Sequence, residues 1–161
     1  MELQKFENRE NLQFECKIIS AKELLNKVYQ GEQLPQDIRF LPIEEGGVFK
    51  YFDLKDLVGV LTNIESKFYS IAEANGEVAG LGELETDPRV ENNLWIKFIS
   101  VDPKYQGQGC ATKLVEEIFQ FAKNGGYSLE ESFYSIEGEQ KLKKLVHESA
   151  EKFEVKLILH K

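Results

Sequence analysis

Apolar positions along the chain recur with two periods, and the switches between them mark the elements. Phe14 to Ile19 reads as a strand. Ser20 and Glu23 then form a capping box, ahead of a helix with Leu24, Leu25 and Val28 inward. Gly31 to Phe52 carries Pro35, Pro42 and Gly46-Gly47 and predicts an irregular stretch. Asp53 is placed to cap a second helix, whose Leu54, Leu57, Val58 and Leu61 share one face. Phe68 to Ala74 and Glu77 to Glu85 flank Asn75-Gly76, a pair that supplies the two positive φ angles of a type I′ turn, so a β-hairpin is expected. After a loop at Asp87-Pro88, Leu94 to Val101 is another strand, rich in Ile, Phe, Trp and Val.

Past a glycine turn the period becomes helical. Ala111, Leu114, Val115, Ile118 and Ala122 share a face, and Gly125-Gly126 ends that helix. Tyr127 to Phe133 reads as a strand, Leu142, Leu145, Val146, Ala150 and Phe153 mark a further amphipathic helix, and Val155 to Leu159 is a last short strand. There is no repeat, low-complexity run or Pro/Gly/Ser linker. Residues 1–161 are therefore expected to form one α/β (α+β) domain, a mixed, mostly antiparallel sheet flanked by helices.

The segment from Val101 to Thr112 carries the chemistry. A strand runs out, Pro103 ends its pairing, and Gly107 and Gly109 lead into a helix whose first amides lack intrahelical partners. Those amides and the positive end of the helix dipole suit a phosphate, and glycine lets it approach the main chain. A lone Gly-x-Gly is more often a tight turn serving backbone geometry alone. A dinucleotide fingerprint fails, because Thr112 stands where its third glycine belongs and the turn is expected to follow an antiparallel hairpin instead of opening a βαβ repeat. A P-loop fails for want of Gly-Lys-Ser/Thr at the required spacing.

Gln106-x-x-Gly109-x-Ala111 resembles the acetyl-coenzyme A signature of the Gcn5-related N-acetyltransferase (GNAT) superfamily, Arg/Gln-x-x-Gly-x-Gly/Ala. The surrounding Val101-x-Pro103-x-Tyr105-Gln106-Gly107-x-Gly109 is similar to the form common in its bacterial members, and so is the order of elements. The resemblance covers most of Phe68 to Asn124 and, more loosely, the whole chain. It implies a GNAT-like fold binding acetyl-coenzyme A, with the main chain of Ile99, Ser100 and Val101 along the pantetheine arm. The loop and helix start, Gln106, Gly107, Gln108, Gly109, Cys110, Ala111 and Thr112, would then hold the pyrophosphate. The Thr112 hydroxyl either adds a contact or bonds its own backbone. Lys104 and Lys113 either touch the phosphates or stand in solvent.

The implied reaction is direct transfer of an acetyl group to an amine in a ternary complex, which needs a base for the amine and an acid for the leaving thiolate. Many members place a glutamate on the strand before the signature, where this chain has Trp95 and Lys97. Glu83 and Glu85 are the nearest acidic substitutes, and either equally suits the solvent side of an alternating strand. Tyr134 falls in the interval where the family often has its acid, although the usual Gly-Phe ending is missing; a structural tyrosine is the plain alternative. Ser132-x-Tyr134-x-x-Glu137-Gly138-Glu139 is similar to the C-terminal region of some small bacterial GNAT proteins. An intact phosphate turn without the common base also suits a non-catalytic sensor or interaction module for coenzyme A thioesters.

Composition narrows the partners. Asp and Glu outnumber Lys and Arg by 28 to 20, a formal charge of −8. That disfavours nucleic acid, which needs a basic face, and favours a cationic amine acceptor, a small molecule or a protein lysine; solubility alone is the simpler account. No apolar run reaches the ~20 residues of a membrane span, and the start lacks the pattern of a secretory signal. Two cysteines make no disulfide framework and fit a cytoplasmic setting. Cys110 reads as a packing residue and His147 as an exposed helix residue. The scatter of Cys and His predicts no metal site. The family resemblance leaves a homodimer open.

Overall fold

The computed structural model describes residues 12–24, 64–132, 134 and 136–159. Six strands form one sheet in chain order: β1 (Glu15–Ser20), β2 (Lys67–Ala74), β3 (Glu77–Thr86), β4 (Asn93–Val101), β5 (Ser128–Glu130) and β6 (Leu157–Ile158). The pairings β1–β2, β2–β3 and β3–β4 are antiparallel, whereas β4–β5 and β5–β6 are parallel. The two parallel steps are made by helices α1 (Cys110–Gly125) and α2 (Ile136–Phe153). The glycine turn thus does open a β–α–β unit, contrary to the sequence reading. The reason is that β5, invisible as a partner in one dimension, lies on the far side of β4 from the hairpin.

Local chemistry sets several boundaries as expected. Asn75 and Gly76 have φ of 52° and 75°, the two left-handed positions that close the β2–β3 hairpin. The Ser20 hydroxyl accepts from the Glu23 amide at 3.1 Å, the N-cap bond of a helical turn over residues 21–24. The remainder of that helix, the irregular stretch from Gly31 to Phe52 and the helix expected from Asp53 lie outside the described residues. Gly126, in the left-handed conformation, ends α1 by donating to the carbonyls of Ala122 and Lys123. The strand expected over Tyr127 to Phe133 is confined to Ser128–Glu130, where β4 and β6 both offer ladders.

The core lies between the sheet and α1. Leu84, Leu94, Val115, Ile118, Phe119 and Leu129 are fully enclosed there, with Val146 of α2 closing one side. Gly80 lets the helix sit directly on β3: a Cβ at that position would come within 2.9 Å of Leu114 and 3.0 Å of the Cys110 sulfur. One irregularity matters for function. Glu83 pairs with Phe98 and Leu84 with Ile96, so Lys97 is an extra residue bulged out of β4. Leu94 and Ile96 face α1 before the bulge, and Ile99 and Val101 pack toward the same side after it.

Candidate active site

The site begins where two neighbouring strands part. β4 pairs with β5 only through Asn93↔Ser128, Leu94↔Leu129 and Trp95↔Glu130. Beyond Trp95 this edge of β4 has no strand neighbour among the described residues, and a polar backbone edge is open to a ligand. Along it runs a cavity of about 720 Å³, walled by Ile99 and Val101 on one side, the glycine turn at its end, and Gln140, Lys141, Leu142 and Leu145 of α2 opposite.

The turn is held by its own side chains. Asp102 accepts from the Lys104 amide at 3.1 Å and starts a single helical turn, Pro103–Tyr105. Gln106 donates through its side-chain amide to the Val101 carbonyl at 3.1 Å, and Gln108 to the Lys104 carbonyl at 2.7 Å. Tyr105, 5% exposed, donates to Glu77 at 3.0 Å and anchors the loop to β3. Lys104 pairs with the same carboxylate, which raises its own pKa.

This scaffold presents Gly107 and Gly109 at φ of 73° and 90°, with nothing within 4 Å of where a Cβ would stand. Gly109 caps α1 without a side-chain hydrogen bond, and the first turn of the helix has no acidic residue. The amides of Cys110, Ala111 and Thr112 therefore open a positive helix end toward the cavity. The residues fit a pyrophosphate followed by an extended arm: an anion cradle at one end, a bare strand edge and apolar walls along the rest.

Of the residues expected to bind the cofactor, Ile99, Val101, Gln106, Gly107, Gly109, Cys110, Ala111 and Thr112 line this cavity. Ser100 and Gln108 lie outside the lining. Cys110 is 1% exposed, and burial pushes its thiol up to about 11, so it packs as a neutral group. Cys16 is held at about 12 by burial first, then by Cys110 and the nearby α1 carboxylates. Lys113 stands 3.8 Å from Glu116 of its own helix.

The residues expected to move protons are not gathered around the lining. Glu83 is 3% exposed, accepting from Lys67 at 2.7 Å and from Tyr69 at 3.1 Å. Glu85 is paired with Lys97 of the bulge at 3.2 Å, and that ammonium lies 3.9 Å over the Trp95 ring. The Trp95 indole N–H is buried with no hydrogen-bond partner among the described residues. The Tyr134 hydroxyl donates to Glu131 at 2.7 Å, and the Nε2 of His147 meets the same carboxylate oxygen at 2.9 Å. His147 is thus half-exposed and tied to a buried acid.

The α2 wall and Glu131 escaped the sequence reading, and Tyr105 entered it only as a position of the motif, not as the anchor of the loop. Leu142 and Leu145 were legible as an apolar face, but that its edge borders a cavity depends on where α2 docks. Nothing in the sequence separates Glu131, 6% exposed, from its neighbour Glu130. Among the described residues no group of three or more His, Cys, Asp or Glu is arranged to hold a metal, and no helix is long and apolar enough to cross a membrane.

Split sheet, glycine turn and cavity define a fold of the acetyltransferase (GNAT) type. In fold the chain is similar to the ribosomal-protein-S18-alanine N-acetyltransferase of Escherichia coli, with a TM-score of 0.53 at 17% identity over 85% of this chain and 76% of that one. The model of the Acetyltransferase (GNAT) family matches residues 24–135, and the chain belongs to that family. Among curated relatives it is 34% identical to the probable N-acetyltransferase family 8 member 5 of Mus musculus and 36% identical to human (Homo sapiens) N-acetyltransferase 8B. Each match takes in 47% of this chain, which spans about a third of the length of those relatives (34% and 35%).

Proposed function

We propose that the protein transfers an acetyl group from acetyl-coenzyme A to an amine. The observation that carries this reading is the cavity joining the bare edge of β4 to the glycine-capped start of α1. When bound, acetyl-coenzyme A supplies the activated acetyl group as a thioester. The main chain of Ile99, Ser100 and Val101 aligns its arm, and the amides from Gly107 to Thr112 hold its pyrophosphate. Lys141, exposed on the lining of the same cavity, adds a cation to it. Tyr134 protonates the leaving group. Glu85, partly exposed, suits the base better than Glu83, whose burial against Lys67 costs it access to an incoming amine.

The acidic composition supports a cationic acceptor, a polyamine or a protein lysine, reached by long-range attraction. Two free thiols fit a reducing cytoplasm, and a homodimer is compatible with the family. A second reading, a sensor of coenzyme A thioesters without turnover, is favoured by one observation: both candidate bases are already held by lysines.

A thermal melt with and without acetyl-coenzyme A tests binding. Ligand at a hundred times its Kd adds about 2.7 kcal/mol, or roughly 5–10 °C for a domain of this size. A shift followed by coenzyme A release with spermidine or a lysine peptide supports the enzyme. A shift with no release from any amine supports the sensor, and no shift removes both.

A further inference from the structure

Glu131 is the first residue past the β4–β5 pairing, at the fork where the sheet opens. Its amide donates to the Ile158 carbonyl of β6 at 3.1 Å, which turns the residue away from β4. Its carboxylate is enclosed, and among the described residues its side-chain partners are the Tyr134 hydroxyl and the His147 imidazole, both on Oε2. The side chain of His147 is 38% exposed and reaches solvent, and Tyr134 is partly exposed as well.

This arrangement sets a problem for Tyr134 as an acid. Its hydroxyl proton points at Glu131. Were it given up elsewhere, a phenolate and a carboxylate would face each other across 2.7 Å, and like charges that close do not coexist. The carboxylate must hand a proton to the phenol oxygen in the same event, and the group able to replace it is the imidazole on the same oxygen.

We propose that Glu131 and His147 are positioning residues that reload Tyr134: His147 collects a proton from water and Glu131 carries it to the tyrosine. This rests on the reading of Tyr134 as the acid. The step balances as three proton hops with no change of oxidation state. The tyrosine O–H breaks as its proton goes to the departing thiolate; a Glu131 Oε2–H bond, formed from His147 Nε2–H, breaks as the phenol is restored. His147 ends neutral and recovers its proton from solvent. The relay works from the protonated imidazole and so fades as pH rises. Besides Glu131 and Tyr134, the charged groups one turn away on α2 are Lys143, Lys144 and Glu151.

Glu131→Gln is the discriminating variant. With its amide oxygen at the Oε2 position it still accepts from Tyr134 and from a His147 that carries its proton on Nε2, while proton carriage is lost. Two readouts are needed, the pH profile of kcat for coenzyme A release with spermidine, and carbon-13 NMR of labelled tyrosine and histidine in the ligand-free protein. His147→Gln assigns one of the two histidine signals, and Tyr134→Phe assigns the tyrosine. The expected result is a wild-type kcat that falls with rising pH, a loss of about tenfold or more in Glu131→Gln and His147→Gln, and no such limb in either. In the ligand-free protein the Tyr134 signal should follow the His147 titration, and cease to do so in Glu131→Gln. Wild-type rates and profile in both variants, with a Tyr134 signal indifferent to His147, would overturn the relay. Full activity in Tyr134→Phe would instead overturn the acid itself.

Discussion

The ammonium of Lys67 and the carboxylate of Glu83 meet at 2.7 Å across adjacent strands, with both side chains under 10% exposed. Tyr69, fully buried, completes the set by donating to the other carboxylate oxygen. Removing one charge strands the other. Glu83→Leu or Lys67→Met should each lower stability by about 3–5 kcal/mol, whereas the double variant should recover much of the loss. Urea denaturation of the three proteins measures this. Additive losses would show that the two charges do not depend on each other.

Gly80 is where α1 rests on the sheet. A Cβ there meets Leu114 at 2.9 Å and the Ser100 carbonyl at 3.0 Å, and the latter is backbone that cannot rotate away. Gly80→Ala should cost ~1–3 kcal/mol and displace the β4 edge, so acetyl-coenzyme A affinity should fall with it. An unchanged urea midpoint would mean that the helix has room to shift.

Thr112 is exposed in the first turn of α1, beside the cavity. Thr112→Glu favours the helix by up to about 1 kcal/mol while placing an anion where a pyrophosphate would bind. The expected outcome is an equal or higher Tm without ligand and an affinity for acetyl-coenzyme A weakened by at least ~tenfold, worth about 1.4 kcal/mol. Intact affinity in calorimetry would move the phosphate site elsewhere.

Folding holds both thiols neutral, with Cys16 raised from 9.0 to about 12 and Cys110 to about 11, burial being the main cause in each. The unfolded chain sheds these protons first. Their contribution to stability is therefore complete below pH 9 and is lost as pH climbs toward 11 to 12. At pH 8, iodoacetamide should label Cys110 ~100-fold more slowly in the native protein than in urea. Equal rates would show that the thiol is not enclosed.

Much of this was legible in one dimension because it is local. Asn75-Gly76 dictates its turn through the φ angles it tolerates, Ser20 and Glu23 mark a helix start three residues apart, and Gly107 and Gly109 announce an open helix end. The spacing from Leu114 to Ala122 names the face that meets the sheet.

What the sequence by itself determined, then, is the kind of element at each place and the turn suited to an anion. Tertiary structure decided the rest, because it joins residues that no local rule connects. The β4–β5 fork depends on three pairs linking Asn93–Trp95 to Ser128–Glu130, and the bulge at Lys97 on how β4 lies against β3. The α2 wall depends on where that helix docks. Burial turned Glu83 from a solvent-facing strand residue into half of an enclosed ion pair with Lys67, 16 positions away, and it gathered Glu131, Tyr134 and His147 around one carboxylate oxygen. Charge and spacing state what a side chain is able to do; only its enclosure and its neighbours select which of those things it does.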